Sequence, residues 1–336
     1  MNIGVIGYGY WGPNLVRNFN ALDGVSVTAV CDTQPERLNV VRRMFPSVDV
    51  LTSNDNDILK STEIDAVVIV TPVSTHFSLA WEALSNGKHI FVEKPFTATV
   101  EQAERLIELA EKKNLRIMVD HTFLYTGAVE TIKKYIDAGD LGDLYYFDSV
   151  RVNLGLFQHD VNVIWDLAPH DVSIMDYLLN RSPQAVTATG VAHFDSDIEN
   201  IAYVSTFYDN NLLGHIHVNW LAPVKVRKTL VSGSKKMIIY DDTEPHEKIK
   251  IYDNGVEIAP DKDQIYNYLI QYRTGDMLSP KVDLTEALVK VTGEFQSAIN
   301  ENRPPRTDGH AGLRVVQILE AATKSLRSDG KLVELK

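Results

Sequence analysis

Two short stretches combine acid, base and cation at spacings that chemistry can use. In Trp165-Asp166-Leu-Ala-Pro-His170-Asp171 a carboxylate and an imidazole stand four residues apart. That is roughly 400° of helical rotation, so on a helix Asp166 and His170 share one face and can reach one substrate. An imidazole titrating near neutrality accepts a hydroxyl proton, and a nearby carboxylate orients it or supports its charged form. Two other readings stay open at this point. Asp166 can be an N-terminal acid cap beside a buried histidine, or both residues can ligate zinc, although no third and fourth ligand occur at a convincing spacing. In Glu93-Lys94-Pro95 a lysine follows the apolar run His89-Ile-Phe-Val92 directly and is locked by proline. Its ammonium can hydrogen-bond a substrate hydroxyl and stabilise alkoxide character, or it can be a solvated loop cation paired with Glu93.

A third stretch points to what would accept electrons from such a hydroxyl. The apolar run Ile3 to Ile6 leads into Gly7-x-Gly9-x-x-Gly12, and Pro13 sits where a first helical turn tolerates a missing N–H. This reads as a strand, a tight turn and a helix start. Gly7 allows the bend, Gly9 lets the backbone approach a pyrophosphate, and Gly12 lets the helix pack on the strand. A second strand ends in Asp32, twenty residues after Gly12, as expected of an acid that holds an adenosine ribose hydroxyl. An acid there repels a 2′-phosphate, so NAD is favoured over NADP, with Arg37 close enough in sequence to weaken that preference. The cofactor-facing set is Gly7, Tyr8, Gly9, Tyr10, Trp11, Gly12, Asp32, Thr33, Arg37, Thr71, Pro72, His76, Glu93 and Lys94. In Thr71-Pro72-Val-Ser-Thr75-His76, either the turn lies against the cofactor with Thr75 or His76 near its nicotinamide half, or Thr75 merely caps a helix.

The elements that must position these groups follow from periodicity. Strands are expected at 2–6, 25–31, 48–51, 65–70, 88–92 and 116–119, alternating with helices at Pro35 to Phe45, Ser53 to Lys60, Thr75 to Asn86 and Thr99 to Asn114. This is a Rossmann order ending near Asp120. After a helix at 127–138 come longer alternating runs at 144–153, 184–193, 199–208, 212–220, 226–232, 236–240 and 248–252, interrupted by a helix at 167–179. Turns at Tyr208 to Asn211 and at Gly233-Ser234 suit antiparallel hairpins. Helices at 283–300 and 308–327 follow, separated by Pro304-Pro305, and the chain finishes in Lys331 to Leu335. The expected fold is α/β. A doubly wound parallel sheet spans 1–120, and an α+β domain with a large open, mostly antiparallel sheet spans 121–336, its last helix packing back on the first domain. An exposed sheet face of this size marks a homo-oligomer contact.

Composition narrows the function class. At 336 residues two domains are expected, and a formal charge of −12 without any basic block argues against binding to nucleic acid or anionic membrane. The single cysteine, Cys31, ends an apolar strand and can form no internal disulfide, which suits a reducing cytoplasm. Neither a basic leader nor an apolar run of about 20 residues is present, so neither export nor a membrane span is expected.

Taken together, Gly7-Tyr-Gly-Tyr-Trp-Gly12, Thr71-Pro72 to His76, Glu93-Lys94-Pro95 and Asp166-x-x-x-His170 resemble, in order and spacing, the Gfo/Idh/MocA oxidoreductases. The resemblance covers nearly the whole chain. It implies NAD(P)-dependent chemistry on a CH–OH group of a sugar or polyol, a homodimer or homotetramer through the C-terminal sheet, and Lys94, Asp166 and His170 as the catalytic group. The run Arg151-Val-Asn153-Leu-Gly155 with Asp160 to Asp171 is similar to a nucleotide-sugar branch that oxidises C3 of a UDP-linked N-acetylated sugar or sugar acid in surface-polysaccharide pathways. Substrate contacts are then expected from Lys94, His121, Tyr125, Arg151, Asn153, Asp166 and His170, with no metal. Other functions on this scaffold are dehydrogenation of a free sugar or inositol-like polyol, NAD-dependent glycoside hydrolysis, and a non-catalytic NAD-linked sensor.

Overall fold

A computed structural model describes the chain except residues 156, 157, 159, 195–197, 259–269 and 336. In chain order the first elements are β1 (Asn2–Ile6), α1 (Gly12–Asn20), β2 (Ser26–Cys31), α2 (Pro35–Met44), β3 (Val50–Thr52), α3 (Asn56–Leu59), β4 (Ala66–Ile69), α4 (Val73–Ser85), β5 (His89–Val92), α5 (Val100–Lys112) and β6 (Ile117–Val119). A 3₁₀ turn at Thr122–Tyr125 precedes α6 (Gly127–Asp137), β7 (Leu144–Leu154), α7 (Val163–Leu179), β8 (Ala185–Val191), β9 (Ile201–Phe207), β10 (Leu213–Asn219) and β11 (Leu221–Gly233). The remainder is β12 (Met237–Asp241), β13 (Ile249–Tyr252), β14 (Gly255–Ile258), β15 (Ile270–Arg273), β16 (Met277–Leu278), α8 (Ala287–Asn300), α9 (Gly309–Leu326) and β17 (Val333–Glu334). No helix among the described residues is long and apolar enough to cross a membrane.

These elements form two compact units, Met1–Tyr125 with Thr285–Glu320, and Thr126–Leu284 with Ala321–Lys336. The sequence places one boundary near residue 120 and lets the last helix pack back on the first domain; in the structure Thr285–Glu320, with α8 and most of α9, belongs to the first unit. The physical reason lies in α8, whose buried Phe295 meets the rings of Phe19 and Phe91 edge-on at 6.1 and 5.6 Å.

In the first unit six parallel strands run in the order β3-β2-β1-β4-β5-β6. Ala66, Val67, Val68 and Ile69 of β4 are all buried, as expected of a strand covered by helices on both faces. The strand order reverses between β1 and β4, which opens the crevice where ligands of such sheets bind, beyond the carboxyl ends of the strands. Thr71, Glu93 and Asp120 each follow one of those ends.

The second unit carries a nine-stranded sheet ordered β16-β13-β12-β11-β7-β10-β9-β8-β17. Alternation along β9 and β10 buries Ala202, Val204, Thr206, Gly214, Ile216 and Val218 and turns Tyr203, Phe207 and Leu213 outward. The β9–β10 hairpin turns through Asn210 and Asn211, both at φ 59°. β7 and β10 pair in parallel within this otherwise antiparallel set. The strand expected at 226–232 begins at Leu221, with an irregular register between Leu221 and Val226. β14, β15 and β16 were not anticipated. α7 starts four residues before the expected 167, because the Asn162 side chain caps it by accepting the Trp165 N–H at 3.2 Å. Pro169 argues for a later start, yet it lies inside the helix and removes one main-chain hydrogen bond there.

Candidate active site

Gly7 holds φ +98°, and a Cβ there would stand 2.3 Å from the Val70 carbonyl oxygen, so the turn accepts glycine alone. A Cβ on Gly12 would meet the Gly7 carbonyl oxygen at 2.9 Å, which is how α1 starts directly against the turn. At Gly9 the nearest atom to such a Cβ is Arg37 Nη1 at 3.8 Å, leaving the backbone approachable from that side. The N-cap residue Trp11 supplies no side-chain cap, so no side chain neutralises the positive end of the α1 dipole. A cradle of this form fits the pyrophosphate of a dinucleotide.

Asp32 is buried at the end of β2. Its Oδ2 accepts the Tyr8 N–H at 2.7 Å and its Oδ1 the Gln34 N–H at 2.8 Å. The Arg37 guanidinium lies 3.3 Å from Oδ2. An ionised carboxylate has about four acceptor positions, so Asp32 keeps capacity for a ribose hydroxyl while it fixes the glycine turn. Arg37 is thus a counter-ion of Asp32 as well as a neighbour of Gly9. Tyr8 is buried, whereas Thr33, Tyr10 and Trp11 are exposed, the last two edge-to-face with centroids 5.5 Å apart.

After β4, Pro72 is the N-cap of α4, and Thr75 does not cap it: its Oγ1 donates to Thr71 Oγ1 at 2.7 Å and to the Pro72 carbonyl at 2.8 Å. His76 departs from the expectation of a cofactor contact. It is 1% exposed, with Nδ1 2.9 Å from the Pro95 carbonyl and Nε2 2.8 Å from the Thr71 carbonyl. Two carbonyls favour a doubly protonated ring, but burial, helped by the Lys94 charge, holds its pKa below the ordinary histidine range. The neutral ring donates to one carbonyl only.

At the ends of β5 and β6 titratable groups crowd together. Lys94 is half-buried, and its N–H donates to Glu93 Oε2 at 3.2 Å. Glu93 and Asp120 are buried, and Asp120 Oδ1 accepts the Thr122 hydroxyl at 2.6 Å. Burial pushes the Glu93 carboxyl up to about 8, with the Asp120 charge adding to it and Lys94 opposing. Burial likewise raises Asp120 to about 6, restrained by hydrogen bonds from Thr122 and Glu93. His121 is buried, and neither ring nitrogen has a hydrogen-bond partner among the described residues. Burial and the charges of Lys94 and Arg314 lower its pKa to about 3, so its ring is neutral. Tyr125 departs from the expected substrate contact. It is 2% exposed, its hydroxyl lies 3.3 Å from Thr307 Oγ1, and the Arg306 guanidinium covers its ring at 4.6 Å.

In the second unit Asp166 and His170 lie one turn apart on α7, both half-buried. Asp166 Oδ2 accepts the indole N–H of the buried Trp220 at 2.9 Å. Arg151, expected to meet an anionic or hydroxylated substrate, has a carboxylate partner within its own unit. It is buried, with Nε 2.5 Å from Asp171 Oδ2 and Nη2 3.2 Å from Oδ1. The Ser149 hydroxyl completes the set at 2.6 Å from Asp171 Oδ1. Burying a guanidinium demands a carboxylate partner, and Asp171 is that partner. Asn153, half-buried on β7, keeps its expected position on the strand. Sequence reading missed Asp120 and Trp220. Asp120 was detectable as the acid one residue beyond a strand adjacent to β5; Trp220 needed the pairing of β10 with β7.

Residues 1–121 match the oxidoreductase family described as NAD-binding Rossmann fold, and residues 129–239 match the GFO/IDH/MocA C-terminal domain. The UDP-N-acetylglucosamine 3-dehydrogenase of Acidithiobacillus ferrooxidans is 28% identical over 324 residues, 94% of each chain. The solved structure of that enzyme superposes with a TM-score of 0.78 at 25% identity, over 98% of each chain. A levoglucosan dehydrogenase in complex with NADH has the same fold, with a TM-score of 0.84 at 20% identity over 100% of this chain and 99% of the other. The chain belongs to the Gfo/Idh/MocA family and is an NAD(P)-dependent oxidoreductase acting on CH–OH groups.

Proposed function

We propose that the protein oxidises a secondary hydroxyl of a nucleotide sugar, with NAD preferred over NADP. When bound, the nicotinamide supplies the hydride acceptor. His170 takes the hydroxyl proton, Lys94 polarises the reacting oxygen, and Asp166, held by the Trp220 indole, orients the pair. Thr71 and Pro72, at the end of β4, belong to the cofactor side of this reading, and Asn153 on β7 to its substrate side. The carrying observation is the shared edge of the parallel sheet: the glycine turn follows β1 and Lys94 follows β5, two strands away through β4. At about 4.8 Å per strand the two sites are roughly 10 Å apart along that edge. A dinucleotide whose pyrophosphate rests on α1 can extend toward the ammonium. The preference for a nucleotide sugar draws on the relative that is a UDP-N-acetylglucosamine 3-dehydrogenase over nearly its full length.

The exposed face of the nine-stranded sheet supports self-association. Leu213 pairs with Tyr146 on one side and Phe207 on the other, and Tyr203 stacks on His217 at 4.4 Å. Sedimentation of the native protein as a dimer or tetramer is expected, and a monomer at micromolar concentration would remove this reading.

A screen of UDP-sugars, free sugars and polyols with NAD, followed at the nicotinamide absorbance, tests the substrate class. Activity confined to free polyols would overturn the nucleotide-sugar assignment. In the same assay Lys94→Ala should lose about a thousandfold in kcat while NADH fluorescence titration stays near wild type. Near-normal turnover in that variant refutes the role of Lys94.

A further inference from the structure

The register Val92↔Val119 of β5 and β6 sets the next residues, Glu93 and Asp120, side by side at neighbouring strand ends, where each carboxyl acts on the other. Backbone bonds fix both. Glu93 N–H donates to the Ile69 carbonyl at 2.9 Å and Asp120 N–H to the Val92 carbonyl at 2.8 Å. Only 8% and 3% of their surfaces remain open. Two carboxylates repel, and they hydrogen-bond only with a proton between them. The groups that act on this pair come from each neighbouring element. The Lys94 charge bears on both acids from the β5 loop, Thr122 donates from the 3₁₀ turn, and Tyr125 feels the Asp120 charge beneath Arg306. His121 follows Asp120 in the chain, and burial and the charges of Lys94 and Arg314 keep its ring neutral. The Glu93 and Asp120 pair is a buried titratable unit to which the hydride-transfer scheme gives no task.

We propose that Glu93 and Asp120 share one proton and are positioning residues for Lys94, presenting a single negative charge to the ammonium when the proton is held and a second when it is lost. With one charge the pair and the ammonium are balanced, and the ammonium keeps its place toward the substrate oxygen. A second charge draws it toward the acids and away from the hydroxyl, so turnover falls at alkaline pH. The inference rests on the reading of Lys94 as the polarising group, and its test separates the two.

The kcat profile of the wild type should show an alkaline limb within about one pH unit of the Glu93 value of about 8. In Glu93→Gln and in Asp120→Asn the pair can carry only one negative charge, so that limb should vanish or move up by at least one pH unit. A limb left in place in both variants overturns the proposal, as does its absence from the wild type. Two variants guard against one that fails to fold. Infrared difference spectra of the protein without substrate give a readout free of catalysis. A protonated-carboxyl stretch should be present at pH 7, titrate away on raising the pH, and be lost in Glu93→Gln. In Lys94→Met, where the favourable cation is gone, it should persist at least one pH unit higher. A missing band sinks the shared proton. A titrating band alongside near-normal turnover of Lys94→Ala sinks the lysine reading alone.

Discussion

Asp171 in the second unit and Glu93 in the first are both acids shut away from water, and they are compensated by different means. Asp171 is matched by a fixed opposite charge, the Arg151 guanidinium, and by the Ser149 hydroxyl. Glu93 faces a second acid and is compensated by a proton. An ion pair of the first kind is tied to the fold, because removing one member strands the other in a low dielectric. A proton exchanges with solvent, so the second kind answers to pH. The contrast separates a buried acid that holds structure from one that can tune chemistry.

The sharpest way to break this contrast is Asp171→Ala, which should lower the unfolding free energy by about 4 kcal/mol in denaturant titration. Replacing both partners, Arg151→Met with Asp171→Leu, should restore most of that loss, and failure of the double variant to recover would mean that the pair does more than balance charge. Glu93→Gln should instead alter how stability depends on pH. The folded-state pKa of Glu93 is raised, so between its ordinary value of 4.5 and about 8 the native state holds a proton that the unfolded chain releases. Wild-type stability should therefore fall as pH rises through that window, by at most about 1.4 kcal/mol per pH unit, and the variant should flatten the slope in thermal melts. Equal slopes would mean that Glu93 titrates normally. Asp32 is a third case, held by backbone amides of Tyr8 and Gln34. Asp32→Ala should shift the ratio of kcat/KM for NAD over that for NADP by about tenfold toward NADP, and an unchanged ratio would assign Asp32 to the turn alone.

Much of the parallel sheet was legible because its strands are short β-branched runs bounded by turn residues, and their order follows from the glycine turn and the alternation with helices. The second sheet was legible in its hairpins, where Asn210 and Asn211 adopt the left-handed conformation that asparagine tolerates. The start of α7 was misplaced because a cap at Asn162 outweighs the signal of Pro169. The candidate site divided along similar lines. Residues with a local motif, such as Gly7 or Lys94, stood out, whereas the fate of a single polar side chain depended on its partner across the fold. Arg151 and Tyr125 read as substrate contacts, and their partners Asp171 and Thr307 are visible only in the fold, just as Asp120 acquires meaning only beside Glu93.

The ring of His76 works as a strut between two turns, with a carbonyl of the Thr71 turn at one end and that of Pro95 at the other. The single N–H of the neutral ring ties one of these loops and the ring packs against the other, so a displacement beside the nucleotide is expected to reach residue 94 by contact. Shortening the strut, as in His76→Ala, would unlatch the two loops and blur the aim of the cation while leaving every reacting group in the sequence.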